Sequence, residues 1–141
     1  MVDRCAYCRD VSIDEKALPF QVNKKEALTT FEYCSTECRE AIEGFVEFSN
    51  SNLDRFVKIG FTLLFGLIIA VIIAKIYFSA VVYGWILGLG LIALGVLFFR
   101  YPFATWGVYQ RLGIKNATRM LRIIAVLIIV IGCSHIYLLY V

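Results

Sequence analysis

Two kinds of hydrophobic pattern follow one another along the chain. Residues 1–58 mix polar and apolar positions at short spacing, whereas residues 59–99 run for forty-one positions with a single charge, Lys75. As one helix rising ~1.5 Å per residue, that run would measure ~60 Å, about twice the hydrocarbon thickness of a bilayer. It must fold back, and the natural break at residues 75–82 predicts a helical hairpin with spans at 56–74 and 83–99. A third stretch, residues 123–141, places twelve Ile, Leu or Val in nineteen positions, with His135 its one ionisable group. At about −0.3 to −0.6 kcal/mol each, twelve aliphatic side chains contribute roughly −4 to −7 kcal/mol to insertion, enough to outweigh the histidine. Backbone amides facing lipid can be satisfied only within helices or closed barrels, so all three segments are predicted as transmembrane helices.

The first part reads differently. Phe20 and Val22 alternate with Gln21, Phe31 and Tyr33 alternate with Glu32, and the polar run 23–26 lies between them, which predicts a short β-hairpin. Ser35 then caps a helix in which Cys38, Ala41, Ile42, Phe45 and Val46 recur on one face. The predicted fold is a small α+β head over residues 1–50, followed by an all-α membrane domain over 51–141 that includes a basic loop at 100–122.

Composition sharpens this division. Hydrophobic residues make up 60% of the chain and charged ones 18%, which excludes an ordinary soluble enzyme. All eleven Asp and Glu lie between Asp3 and Asp54, and with eight Lys and Arg up to Lys58 they give the head a net charge of about −3. No cleavable signal is expected, because the first long apolar run starts too far into the chain. Residues 100–122 carry five basic side chains and no acid, which predicts that this loop and the Met1 end are cytoplasmic and the Val141 end is outside. Tyr101, Phe103, Trp106 and Tyr109 at the start of the loop read as an aromatic belt at headgroup level. Arg111, Lys115, Arg119 and Arg122 would share one face if the segment were helical, either as snorkelling residues or as a surface for anionic lipid or a partner.

Within the spans, Gly66, Ala70 and Ala74 recur every four residues, and Gly84, Gly88 and Gly95 mark a second close-approach face. The expectation is that the hairpin packs on itself, the alternative being a seam to another subunit. Cys133 and His135, two residues apart, point about 200° apart on a helix and so do not easily share a metal. They read as a small packing residue and a neutral imidazole bonded to a carbonyl or a partner helix.

The candidate chemistry lies in the head. Cys5 and Cys8 form a CxxC, and after a gap of twenty-five residues Cys34 and Cys38 form a CxxxC. Two separated pairs are the ligand arithmetic of one tetrahedral Zn²⁺, a knuckle offering two sulfurs and the first turn of a helix two more. A head of this size also needs such a staple, its own core being marginal. A helix N-terminus favours thiolates, and Arg4, Arg9 and Arg39 can offset the negative charge of a Zn(Cys)₄ centre.

The strings CAYC and FEYCSTEC, with an aromatic residue before the third cysteine and a helix after it, resemble the TRASH-type treble-clef zinc finger. The resemblance covers the first third of the chain and implies that Cys5, Cys8, Cys34 and Cys38 are the ligands of one Zn²⁺, with iron possible in the same sulfurs. The sequence departs from the pattern where a glycine usually follows the first pair: here Arg9 is followed by Asp10. Ribosomal members of the group bind RNA, but the acidic head lacks the basic patch that phosphate backbones require, so no nucleic acid is expected. Other members sense or traffic heavy metals.

Catalysis has no support: the one histidine lies in a predicted span, and the head offers neither a nucleophile with a base nor a phosphate loop. The chain therefore reads as a non-enzymatic integral membrane protein in contact with lipid. Its zinc head makes it an accessory or docking subunit of a membrane assembly with a protein partner, or alternatively a membrane-tethered metal or redox sensor.

Overall fold

The structure is a computed structural model in which residues 4–10, 18–20 and 29–140 are described. Val22, the polar run 23–26 and both chain ends, each of which figured in the sequence reading, lie outside them. In order, the elements are β1 (Leu18–Phe20), β2 (Thr29–Phe31), α1 (Thr36–Tyr77), α2 (Ala80–Arg100) and α3 (Trp106–Tyr137). β1 and β2 pair antiparallel, with Leu18 opposite Phe31 and Phe20 opposite Thr29. A strand pair thus separates the two cysteine pairs.

α1 begins where expected. The Cys38 N–H donates to Ser35 Oγ at 3.2 Å and the Arg39 N–H to the Ser35 carbonyl at 3.0 Å, so the serine satisfies donors that the first turn leaves open. The helix then continues for 42 residues, through the position where the sequence divides a head from a membrane domain. The run 49–52, Ser-Asn-Ser-Asn, has the composition of a linker, yet its polar groups are absorbed by the helix. Ser51 Oγ donates to the Glu47 carbonyl at 2.8 Å, Asn52 Nδ2 donates to the Phe48 carbonyl at 2.9 Å, and Ser49 is buried. With neither Gly nor Pro between Phe45 and Ile59, nothing stops propagation.

Three helices, α1, α2 and α3, are long and apolar enough to cross a membrane. The chain therefore has the character of a multi-pass membrane protein. The hairpin break falls at Phe78 and Ser79, inside the predicted window. α3 is longer than the predicted third span: it starts at Trp106, so most of the expected loop 100–122 is helix, and residues 138–139 form a turn rather than its last residues. Gly113, at φ 77° and ψ 160°, interrupts it.

Contacts divide the chain into two compact units, Met1–Asp54 with Phe103–Met120, and Arg55–Pro102 with Leu121–Val141. The segment after α2 thus belongs to the head unit. Tyr109 and Phe103 pack there rather than serving as a belt: Tyr109 meets Phe45 edge-on at 5.2 Å between ring centroids, and Phe103 lies 5.6 Å from Phe48. The head core joins Cys5, Phe31, Tyr33, Ile42 and Val46 to Tyr109, Ile114 and Ala117, so three of these eight buried residues come from beyond the helical hairpin. At about 1.5–3 kcal/mol per fully buried large apolar side chain, that contribution is substantial for so small a core.

In the second unit the glycines of α2 face α3, not α1. A Cβ at Gly84 would meet Leu139, one at Gly88 would meet Ile136 and the Gly132 carbonyl, and one at Gly95 would meet Ile129 and the Ala125 carbonyl. The Gly84, Gly88 and Gly95 face therefore packs the second span on the third, which corrects the expectation of a hairpin closed on itself through these residues. Contact between the first and second spans runs instead through Gly90 against Leu67 and Gly60 against Leu97. Such close backbone approach is how helices gain van der Waals contact in lipid, where no hydrophobic drive distinguishes partner from solvent. Of the expected first-span stripe, Ala74 is buried but Gly66 has nothing near it.

Candidate metal centre

The four cysteines singled out by spacing come together. Their sulfurs all lie within 4.8 Å of one another, drawn from the knuckle at 5–8, the bend between β2 and α1, and the first turn of α1. Cys8 Sγ is 3.4 Å from Cys34 Sγ, Cys34 Sγ is 3.5 Å from Cys38 Sγ, and Cys38 Sγ is 3.9 Å from Cys8 Sγ. Tetrahedral zinc with Zn–S bonds of ~2.3 Å needs sulfurs about 3.8 Å apart. The four free thiols fit such an ion with only small adjustment, and a four-cysteine cluster of this kind can bind a metal.

Local folding explains the convergence. The knuckle is closed by the Arg9 N–H donating to the Cys5 carbonyl and the Cys5 N–H to the Asp10 carbonyl, both at 3.0 Å. Arg9 turns the chain at φ 70°, a left-handed conformation that costs a side-chain-bearing residue roughly 1–2 kcal/mol and that glycine adopts freely. The sequence places no glycine at this turn. The Ala6 N–H donates to the Glu32 carbonyl at 2.8 Å, which ties the knuckle to the segment carrying Cys34.

A further segment completes the site. The N–H groups of Ile114 and Lys115 donate to the carbonyls of Ala6 and Tyr7, at 3.0 and 3.2 Å, so the two residues between the first pair of cysteines are held by the turn at Gly113. A Cβ at Gly113 would come within 2.7 Å of the Tyr7 carbonyl oxygen and 2.8 Å of Arg9 Cγ. Only glycine combines this conformation with this approach. Sequence reasoning placed these residues in a loop; the signal available was Gly113 itself, a glycine between Leu112 and Ile114 in a basic segment.

Electrostatics at the site are uneven. Burial pushes the Cys5 thiol up, but the backbone N–H groups of Cys8, Tyr7 and Cys34 outweigh it and bring the thiol down to about 7. Cys8 is raised, first by burial and then by the neighbouring thiols. Metal ligation must therefore expel a proton from Cys8, while near pH 7 much of Cys5 is already thiolate. Cys5 is fully buried and the other three are partly exposed. Arg39 pairs with Glu43 at 2.9 Å across one turn of α1, a mutually exposed pair of small energetic weight.

The remaining candidates do not join this site. Cys133 is exposed on α3, and His135 Nε2 is buried with no hydrogen-bond partner among the described residues. Arg111, Lys115, Arg119 and Arg122 are all exposed, with Gly113 interrupting the helix between the first and the rest. No protein family, curated protein or solved structure matches the chain.

Proposed function

We propose that this is a non-enzymatic membrane protein whose cysteine head holds one structural Zn²⁺ in a TRASH-type treble clef and serves as a cytoplasmic docking module of a membrane assembly. The observation that carries this reading is the pair of hydrogen bonds from Ile114 and Lys115 to the knuckle carbonyls. A metal bound there would cross-link the knuckle, the bend between β2 and α1, the start of α1 and the 103–120 segment, which is the work of a scaffold rather than of a reactive centre. The strand pair between the cysteine pairs and the helix after them suit the treble clef. Zinc suits the all-sulfur, tetrahedral donor set, which iron can also occupy.

The surface so fixed is acidic. Glu37, Glu40, Glu43 and Glu47 are all exposed along α1 and lie at spacings that share one face. Anionic headgroups repel such a face and attract the basic side chains at 111–122, which favours a basic protein partner for the glutamates. Charge reversal at Glu40, Glu43 and Glu47 is expected to reduce recovery of a crosslinked partner at low salt while zinc content and membrane insertion stay unchanged. Undiminished recovery at low salt would leave this face merely solvated and remove the docking role. The proposed orientation follows from the same basic segment: an impermeant thiol reagent should label a cysteine engineered after Tyr140 in intact cells, and labelling only after lysis would reverse it.

A second reading, a metal or redox sensor, draws on the partial exposure of Cys8, Cys34 and Cys38. Reversible metal loss under mild oxidation, with a matching change in head structure, would favour it over the scaffold.

A further inference from the structure

Beside the knuckle, within the head unit, lies a cavity of about 170 Å³ that neither the metal centre nor the acidic face uses. Arg4, Arg9, Glu32 and Gln110 supply its polar wall, with Phe31 and Ile114 among its apolar lining. Neither arginine makes a hydrogen bond or ion pair through its side chain among the described residues, and the Nε of Arg9 is buried without a partner. Buried polar groups are nearly always satisfied, and the covered Nε belongs to an arginine that lines the cavity and whose other guanidinium N–H groups are likewise without a partner among the described residues. Arg9 is also the residue held at φ 70°, where glycine would sit without strain. A strained residue that persists where a relaxed one is available points to a contribution from its side chain.

We infer that this cavity is a binding site for a phosphate monoester group, held by the guanidiniums of Arg4 and Arg9. Guanidinium is the side chain best matched to planar, bidentate recognition of oxyanions, and two of them offset the charge of such a group. Gln110 adds an amide donor, while Glu32 accepts a hydrogen bond from a hydroxyl or ammonium elsewhere on the ligand. The volume is that of a small molecule, since a cavity of about 150 Å³ accommodates benzene. The same phosphate could arrive on a freely diffusing metabolite or on a lipid headgroup. Because Arg9 closes the knuckle and Ile114 holds it, occupation would also stabilise the metal-bound form through linkage.

The test uses the full-length, zinc-loaded protein in phosphatidylcholine nanodiscs and phosphate-free buffer, with radiolabelled inorganic phosphate in equilibrium dialysis. Saturable binding is expected, about tenfold or more weaker in Arg4→Ala and in Arg9→Met. Arg9→Met keeps a stem beside Gly113 while removing the charge. Arg9→Gly guards against misfolding, since it relaxes the backbone, and should retain zinc yet lose phosphate. Competition when phosphatidic acid is added to the nanodiscs would assign the site to a lipid headgroup, and its absence would assign it to a soluble phosphate monoester. No saturable binding in phosphatidylcholine nanodiscs, or binding that Arg4→Ala and Arg9→Met leave unchanged, would overturn the inference.

Discussion

Replacing Cys34 with alanine is expected to unfold not only the cysteine head but also the 103–120 segment, while the second unit keeps its helices. Structural zinc in small modules supplies on the order of 10 kcal/mol or more, and whole domains are stable by only about 5–15 kcal/mol. The head core cannot replace that contribution: among its buried residues Cys5 is itself a proposed ligand, and Tyr109, Ile114 and Ala117 reach it from a segment anchored on the knuckle. Once the metal leaves, the carbonyls of Ala6 and Tyr7 lose their fixed positions and the N–H groups of Ile114 and Lys115 lose their acceptors. In hydrogen exchange, protection of these two amides should fall by about three orders of magnitude or more, the equivalent of roughly 4 kcal/mol of local stability. The Tyr101 amide, bonded to the Leu97 carbonyl at 2.9 Å within the other unit, serves as the internal control. Protected Ile114 and Lys115 amides in Cys34→Ala would mean that the segment is held without the metal.

Gly113→Ala should have the next largest effect, without touching a ligand. At φ 77° and ψ 160° a side chain costs about 1–3 kcal/mol, and a Cβ there would meet the Tyr7 carbonyl. The turn can escape only by moving away from the knuckle, which sacrifices two hydrogen bonds worth about 0.5–1.5 kcal/mol each. The head should lose about 2–5 kcal/mol, and chelator competition should report zinc affinity at least about tenfold lower. Gly107→Ala is the matched control: nothing lies near its Cβ position and alanine is the better helix former. Equal zinc affinity in the Gly107 and Gly113 variants would separate the turn from the metal site.

Much of this organisation was legible in local sequence. Spacing alone brought the four cysteines together, Ser35 marked the start of α1, and length and hydropathy gave three spans with a break before Ala80. Two features were not legible, for different reasons. The run 49–52 has the composition of a boundary, but its side chains bond back to the preceding turn, an outcome that composition cannot distinguish from a linker. The 103–120 segment carries aromatic and basic residues after an apolar helix, the ordinary signature of a membrane interface, while its buried positions interleave with exposed charges. Its partners lie about a hundred residues earlier, at Ala6 and Tyr7, a long-range pairing that no local period encodes. The Gly84, Gly88 and Gly95 face was visible as a face, but which neighbour it meets depends on three-helix packing, and that neighbour is α3.

Whether Cys5, Cys8, Cys34 and Cys38 jointly hold one metal ion is decided by X-ray absorption at the zinc edge on the full-length protein purified without added metal. The account predicts one zinc per chain with four sulfur neighbours at ~2.3 Å and no nitrogen or oxygen in the first shell. A chain that carries no metal, or a zinc with nitrogen or oxygen ligands in place of sulfur, would contradict it.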